Sequence, residues 1–212
     1  MSPRTIVARS KAAGIDCIAL TDHSCTKNLP AFHEVCAEAG MNCLYGLEAS
    51  TAEDVHVLCL FDNLRRALDF GEMIYSHLPR LLNVPERFGD QPVVTVDDEI
   101  VGFAEKLLIN GTDISFFELI PMVLDAGGLC IPSHIDRPMC GAIEHLGFLP
   151  DLPYDAVEVV GEVASEIAWR WPVVRFSDSH HPDQIARRFT EIETESFTVP
   201  ALREAFQRLI LK

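Results

Sequence analysis

Four apolar runs in this sequence end abruptly in side chains suited to holding a cation. They are CIALTDH at Asp22 and His23, CLYGLEAS at Glu48, LCIPSH at His134, and VVRFSDSH at Asp178 and His180. A single His or Asp at a strand end is more often a hydrogen-bonded loop residue than a ligand, because buried polar groups usually find partners. Recurrence shifts that balance. In a parallel α/β barrel the carboxyl ends of the strands share one rim, so imidazoles and carboxylates from distant parts of the chain converge there. A mixed His and carboxylate cluster at such a rim is metal-binding chemistry.

Strand periodicity refines the assignments. Residues two apart share a face, so Asp178 and His180 are expected to point inward together while Arg175 points outward. Asp22 and His23 are neighbours and should diverge; His23 is the expected ligand and Asp22 its supporting partner. His56 opens its strand eight residues after Glu48, so it reaches the same rim only if that strand runs back antiparallel. His33, His77 and His145 fall on predicted helices or loops away from these ends, where an ordinary surface or hydrogen-bonded role is expected. His181, beside a candidate ligand, is either a proton donor or a solvent-facing residue.

The elements that must position these groups alternate. Residues 5–13 have helical composition closed by Gly14, and a strand follows at 16–21. A helix then runs from Pro30 in its first turn to Gly40 at its end, and MNCLYGLEAS and VHVLCLF read as the next two strands. Residues 62–111 are read as an insertion in a single 1–212 domain. It holds a helical segment and a hairpin turning at Asp97 and Asp98. The rhythm then resumes with a helix at 115–126, LCIPSH, a looped and partly helical 137–150, AVEVVG, the helix EVASEIAWR, VVRFSDSH and an amphipathic helix at 199–211. Strands alternating with helices predict an α/β fold with parallel pairing.

Composition narrows the partners. The formal net charge is −15, from 17 Lys and Arg against 32 Asp and Glu, a field that repels polyanions. Nucleic acid is therefore disfavoured, and a small ligand or a bound cation is favoured. No apolar run is long enough to span a bilayer and no secretory signal is legible, so no membrane contact and a cytoplasmic location are expected. Seven cysteines without a C-x-x-C pair suit a reducing compartment.

The stretches GIDCIALTDHS, GLEAST followed by VHVLCLF, IPSHIDRP and FSDSHH occur in this order along nearly the whole chain. Together they resemble the PHP superfamily, named for polymerase and histidinol phosphatase domains, and most of all its stand-alone bacterial metal-dependent phosphoesterases. The resemblance implies a distorted seven-stranded β/α barrel, with metal ligands at His23, Glu48, His56, His134, Asp178 and His180. It implies two to three divalent ions, zinc, manganese or iron, with Glu48 bridging two of them. The implied activity is hydrolysis of a small phosphomonoester or phosphodiester by metal-activated water. Arg137 and Lys106 are candidate phosphate-binding cations, and Asp22 and His181 candidate catalytic groups.

The family begins with a strand carrying His-x-His, and no counterpart precedes the first helix here. Either the natural chain is longer and begins upstream of Met1, or the first strand has been lost. The joint presence of six candidate ligands favours the longer natural chain. A barrel lacking that strand leaves unpaired edges, so self-association through them is expected. A non-catalytic metal-binding module and an oligonucleotide exonuclease are the alternative functions.

Overall fold

The computed structural model describes residues 1–162 and 164–210. Val163, inside the expected helix EVASEIAWR, and Leu211, the expected end of the last helix, lie outside the described residues. The elements run α1 (Pro3–Ala12), β1 (Cys17–Leu20), α2 (Leu29–Ala39), β2 (Asn42–Ser50), β3 (His56–Phe61), α3 (Leu64–His77) and α4 (Pro85–Phe88). They continue with β4 (Pro92–Val94), β5 (Ile100–Phe103), α5 (Phe116–Asp125), β6 (Leu129–Pro132), α6 (Ala142–Leu146), β7 (Val157–Glu158), α7 (Ser165–Arg170), β8 (Val173–Val174) and α8 (Val199–Gln207). No helix among the described residues is long and apolar enough to cross a membrane.

Local chemistry sets the boundaries. Ser2 caps α1, its hydroxyl accepting the Thr5 N–H, and Asn63 caps α3 in the same way through Arg66. Ser115 opens α5 with a reciprocal capping box to Glu118, satisfying two end groups that would otherwise lack partners. The hairpin β4–β5 turns where expected, with Asp98 at φ 63°.

The α/β class is as the sequence predicts, but the pairing differs. The strands form a four-stranded sheet in the order β1-β2-β3-β6 and two separate pairs, β4-β5 and β7-β8. Among the described residues they close no seven-stranded barrel. Among the described residues, β1–β2 and β7–β8 are parallel, while β2–β3 and β3–β6 are antiparallel. The connection explains the first reversal. Residues 51–55 make a tight turn, closed by Thr51 N–H to Val55 O at 2.9 Å, and a link that short cannot make a parallel crossover. The reversal also meets the condition set by His56, which pairs with Ser50 at the end of β2.

Period two along the strands divides the core. Tyr45, Leu47, Ala49, Val57, Cys59, Phe61 and Cys130 face one way, into a core with Phe32 of α2, Ile74 of α3 and Phe116 of α5. Leu44, Leu58, Leu60, Leu129 and Ile131 face the other way, onto Val174, Leu202 and Phe206. Arg203 of α8 fastens this second layer, pairing with Asp155 and donating to the Gly128 carbonyl at 2.9 Å. Asp155 in turn accepts the Cys130 N–H at 2.8 Å. On the second face the apolar rows end in Glu48 on β2 and His56 on β3, so the site is the polar continuation of a packed layer.

Gly46 lies two residues before Glu48 on that face. A Cβ there would sit 2.2 Å from the Cys59 carbonyl oxygen, a backbone atom of β3. Gly46→Ala is therefore expected to push β2 from β3 and to lower stability by about 1–3 kcal/mol. Urea denaturation measures this, and an unchanged midpoint would refute the close-approach argument.

Candidate metal centre

Glu48 is the hub. Its Oε2 lies 3.4 Å from Nδ1 of His23 and 3.4 Å from Nδ1 of His56, and its Oε1 lies 3.3 Å from Nε2 of His134. His23 reaches this position because the β1–β2 ladder resumes after a break at Thr21 and Asp22. It forms an isolated parallel bridge with Glu48, locked by Ser24 N–H to Glu48 O and Glu48 N–H to Asp22 O. His56 comes from the start of β3, and His134 from just beyond β6. The His56 ring lies 5.3 Å from those of both His23 and His134.

The other expected residues are arranged as follows. Asp178 and His180 meet each other, with Nδ1 of His180 3.5 Å from Oδ1 of Asp178, and the His180 ring is 6.1 Å from that of His23. They do so by a different route from the expected strand alternation. The strand β8 ends at Val174, and Asp178 sits at φ 43° in a loop, where period two does not apply. Arg137 is drawn in through Asp178, its Nη2 2.7 Å from Oδ2. The backbone carbonyl of Asp22 holds Glu48, while its carboxylate accepts from the Asn28 amide at 3.0 Å. His181 is two-thirds exposed and turns Nδ1 back to accept the Asp183 N–H.

Lys106 is not brought to this cluster. Its ammonium group donates to the carbonyls of Tyr75, Ser76 and Leu78 at 2.8, 3.2 and 2.8 Å, capping the end of α3. An ammonium group has three N–H donors, and all three are spent on carbonyls at a helix terminus. Lys106 is thereby separated from the other candidate site residues.

Two residues that the sequence reading passed over belong here. Glu158, 2% exposed on β7, accepts the His134 N–H through Oε2 at 3.0 Å and holds His134 at φ 31°. Its signal was visible as one acid inside the apolar run AVEVV. Cys140 puts its Sγ 3.7 Å from Nδ1 of His134. No spacing rule pointed to it.

Burial and charge act on these groups in opposition. Burial alone would raise the Glu48 pKa, but the contacts of His134 and His56 and the nearby His23 hold it well below the usual carboxylate range. Burial also disfavours charge on His134, yet Cys140 and Glu48 outweigh it and raise its pKa to about 10. His23 moves the other way, lowered chiefly by burial. Burial pushes up both Asp22 and Glu158, opposed by Asn28 and by His134 respectively.

The donor set fits a divalent metal. Nδ1 of His23 and Nδ1 of His56 are buried and lack a hydrogen-bond partner, although each lies within ion-pair distance of Glu48. They are near the carboxylate without being aligned to donate to it. Donors sharing one zinc ion at about 2.1 Å lie roughly 3–3.5 Å apart, which is the spacing around Glu48. Two triads, His23–Glu48–His56 and His56–His134–Cys140, keep their donor atoms within 4.8 Å of one another.

Comparison with known proteins adds a family and a fold. The PHP domain model matches residues 1–165. Among solved structures, the lesion-specific endonuclease PfuEndoQ from Pyrococcus furiosus is similar with a TM-score of 0.70 at 16% identity, covering 98% of this chain and 51% of that one. The chain thus spans about half the length of that endonuclease. A candidate metal-dependent phosphoesterase from Bifidobacterium adolescentis is similar with a TM-score of 0.64 at 19% identity, covering 98% of this chain and 91% of that one. No curated protein sequence matches the chain.

The Glu48–His134 contact gives metal-free protein a defined pH dependence. The His134 pKa is raised from 6.5 to about 10, so its contribution is complete below pH 6.5 and is lost as pH rises toward 10. The Glu48 pKa is depressed below 4.5, so its contribution is present above pH 4.5 and fades as pH falls further. Urea midpoints of chelator-treated protein are expected to fall between pH 6.5 and pH 10, and to fall less in His134→Gln. The variant comparison cancels the buried thiols, which act in the same direction; equal losses in both proteins would contradict the assignment.

Proposed function

The chain belongs to the PHP domain family, and on that premise we propose that it is a metal-dependent phosphoesterase acting on a small phosphomonoester or phosphodiester. The observation that carries this reading is the Glu48 carboxylate set 3.3–3.4 Å from three imidazoles. His23, Glu48, His56, His134, Asp178 and His180 would hold one or more divalent ions. Such ions acidify a water and neutralise charge on phosphoryl oxygens.

The remaining roles fall to this chain's own side chains. Arg137, paired with Asp178 at the rim, supplies a permanent planar cation that can turn to a phosphoryl oxygen. Glu158 fixes the His134 backbone, and the Asp22 carbonyl fixes that of Glu48, so the two central groups are held before substrate arrives. His181, two-thirds exposed and next to the candidate ligand His180, would give a proton to a leaving oxygen as the imidazolium, which forms when its Nδ1 takes up a proton and releases the Asp183 N–H.

The endonuclease relative raises a polynucleotide as an alternative substrate. A net charge of −15 weighs against it, because a long polyanion meets the field of the whole chain while a small ester meets chiefly the local site. We therefore place the activity with small substrates.

Protein purified without chelator is expected to carry divalent metal by elemental analysis and to hydrolyse p-nitrophenyl phosphate or bis(p-nitrophenyl) phosphate. Combining His134→Ala with Asp178→Ala should release the metal and lower turnover by about a hundredfold or more. Turnover that survives both chelation and the double substitution would rule the proposal out.

A further inference from the structure

We propose that Cys140 is a metal ligand, joining His56 and His134 in a sulfur-containing donor set that selects a thiophilic divalent ion such as zinc over manganese. The inference rests on the metal-dependent reading above and adds to it a ligand and a metal preference.

The thiol is placed here by its loop. After β6 the chain turns at His134, with Arg137 N–H on His134 O at 2.8 Å, and turns again with Gly141 N–H on Arg137 O at 3.1 Å. Ile143 N–H then bonds Ile135 O at 3.1 Å and closes the excursion. Gly141 makes the tight return possible. A Cβ at that position would lie 2.5–2.8 Å from the carbonyl oxygens of Arg137, Ile135 and His134. The Cys140 carbonyl is fixed as well, accepting the His56 N–H at 3.1 Å. Met139, at φ 82°, turns outward and is 84% exposed, while Cys140 turns toward the two imidazoles.

Its surroundings separate it from the other thiols. Cys36, Cys59 and Cys130 lie in the apolar core, where a free cysteine behaves as a small hydrophobe. Cys140 instead has its Sγ 3.7 and 3.9 Å from the two ring nitrogens of His134, with His56 in the same 4.8 Å group. Two imidazoles and a thiol are a zinc-type donor set, and thiolate ligands favour softer ions over manganese and magnesium. On coordination the thiol proton passes to solvent.

Cobalt(II) titration of the chelator-stripped full chain tests this. The native protein and a Cys17→Ser control should show a sulfur-to-cobalt charge-transfer band in the near ultraviolet together with visible ligand-field bands. Cys140→Ser should keep the ligand-field bands and lose the charge-transfer band. Its preference for zinc over manganese in competition should fall about tenfold or more. Cys140→Ala is read in parallel, with far-ultraviolet circular dichroism as the check on folding. Ligand-field bands without a charge-transfer band in the native protein would overturn thiol ligation while leaving the metal site standing. A charge-transfer band that survives both Cys140 substitutions would assign the sulfur elsewhere and overturn the proposal. No cobalt spectrum at all would overturn this inference and the metal-dependent reading together.

Discussion

The structure is organised around one buried charge. Glu48 sits near the end of β2 among packed residues, and taking a carboxylate out of water costs several kcal/mol unless its oxygens are matched. Three imidazoles supply the match, and each comes from a different strand end. Their arrival sets demands on the fold. The β1–β2 ladder must resume after Asp22, β3 must run back from β2, and His134 must leave β6 at a positive φ. None of these is required by the apolar core alone.

The backbone records those demands. Ser24, His134 and Asp178 have φ of 45°, 31° and 43°, values uncommon for residues other than glycine. Each is a candidate ligand or the immediate neighbour of one. Such conformations cost of order 1–3 kcal/mol and persist where the surroundings over-determine them. The surroundings here are specific: Glu158 bonds His134 N–H, Glu48 O takes Ser24 N–H, and Arg187 bonds the carbonyls of Ser177 and Asp178. Packing on the two faces of the sheet supplies the stability that the strained rim draws on.

This division explains what the sequence could disclose. Apolar runs ending in His, Glu and Asp were legible because a strand's periodicity and its abrupt polar end are both local. The meeting of His56 with Glu48 was conditionally legible, since antiparallel return follows from a short turn. Asp178 and His180 were paired for a reason the structure replaces: a loop brings them together after β8 has ended. Lys106 stands apart from the cluster because its partners are the carbonyls of a helix end, which no side-chain pattern announces. Glu158 left a trace as an acid within AVEVV. Cys140 left none, since its placement depends on a loop closed by backbone bonds and the lack of a side chain at Gly141.

Charge then fixes the order in which ligands can be accepted. In the metal-free centre the carboxylates of Glu48 and Asp178 face two cationic partners, the guanidinium of Arg137 and the His134 imidazole, whose raised pKa favours its charged form. Those charges offset one another, within a chain that is itself strongly anionic. A phosphate approaching the bare centre meets the field of the anionic chain, and Arg137 is already committed to Asp178. A cation held by Glu48, Asp178 and the imidazoles would add positive charge there and compete with Arg137 for the Asp178 carboxylate, freeing the guanidinium. On the metal-dependent reading, an anionic substrate is therefore better suited as the second ligand, after the cation.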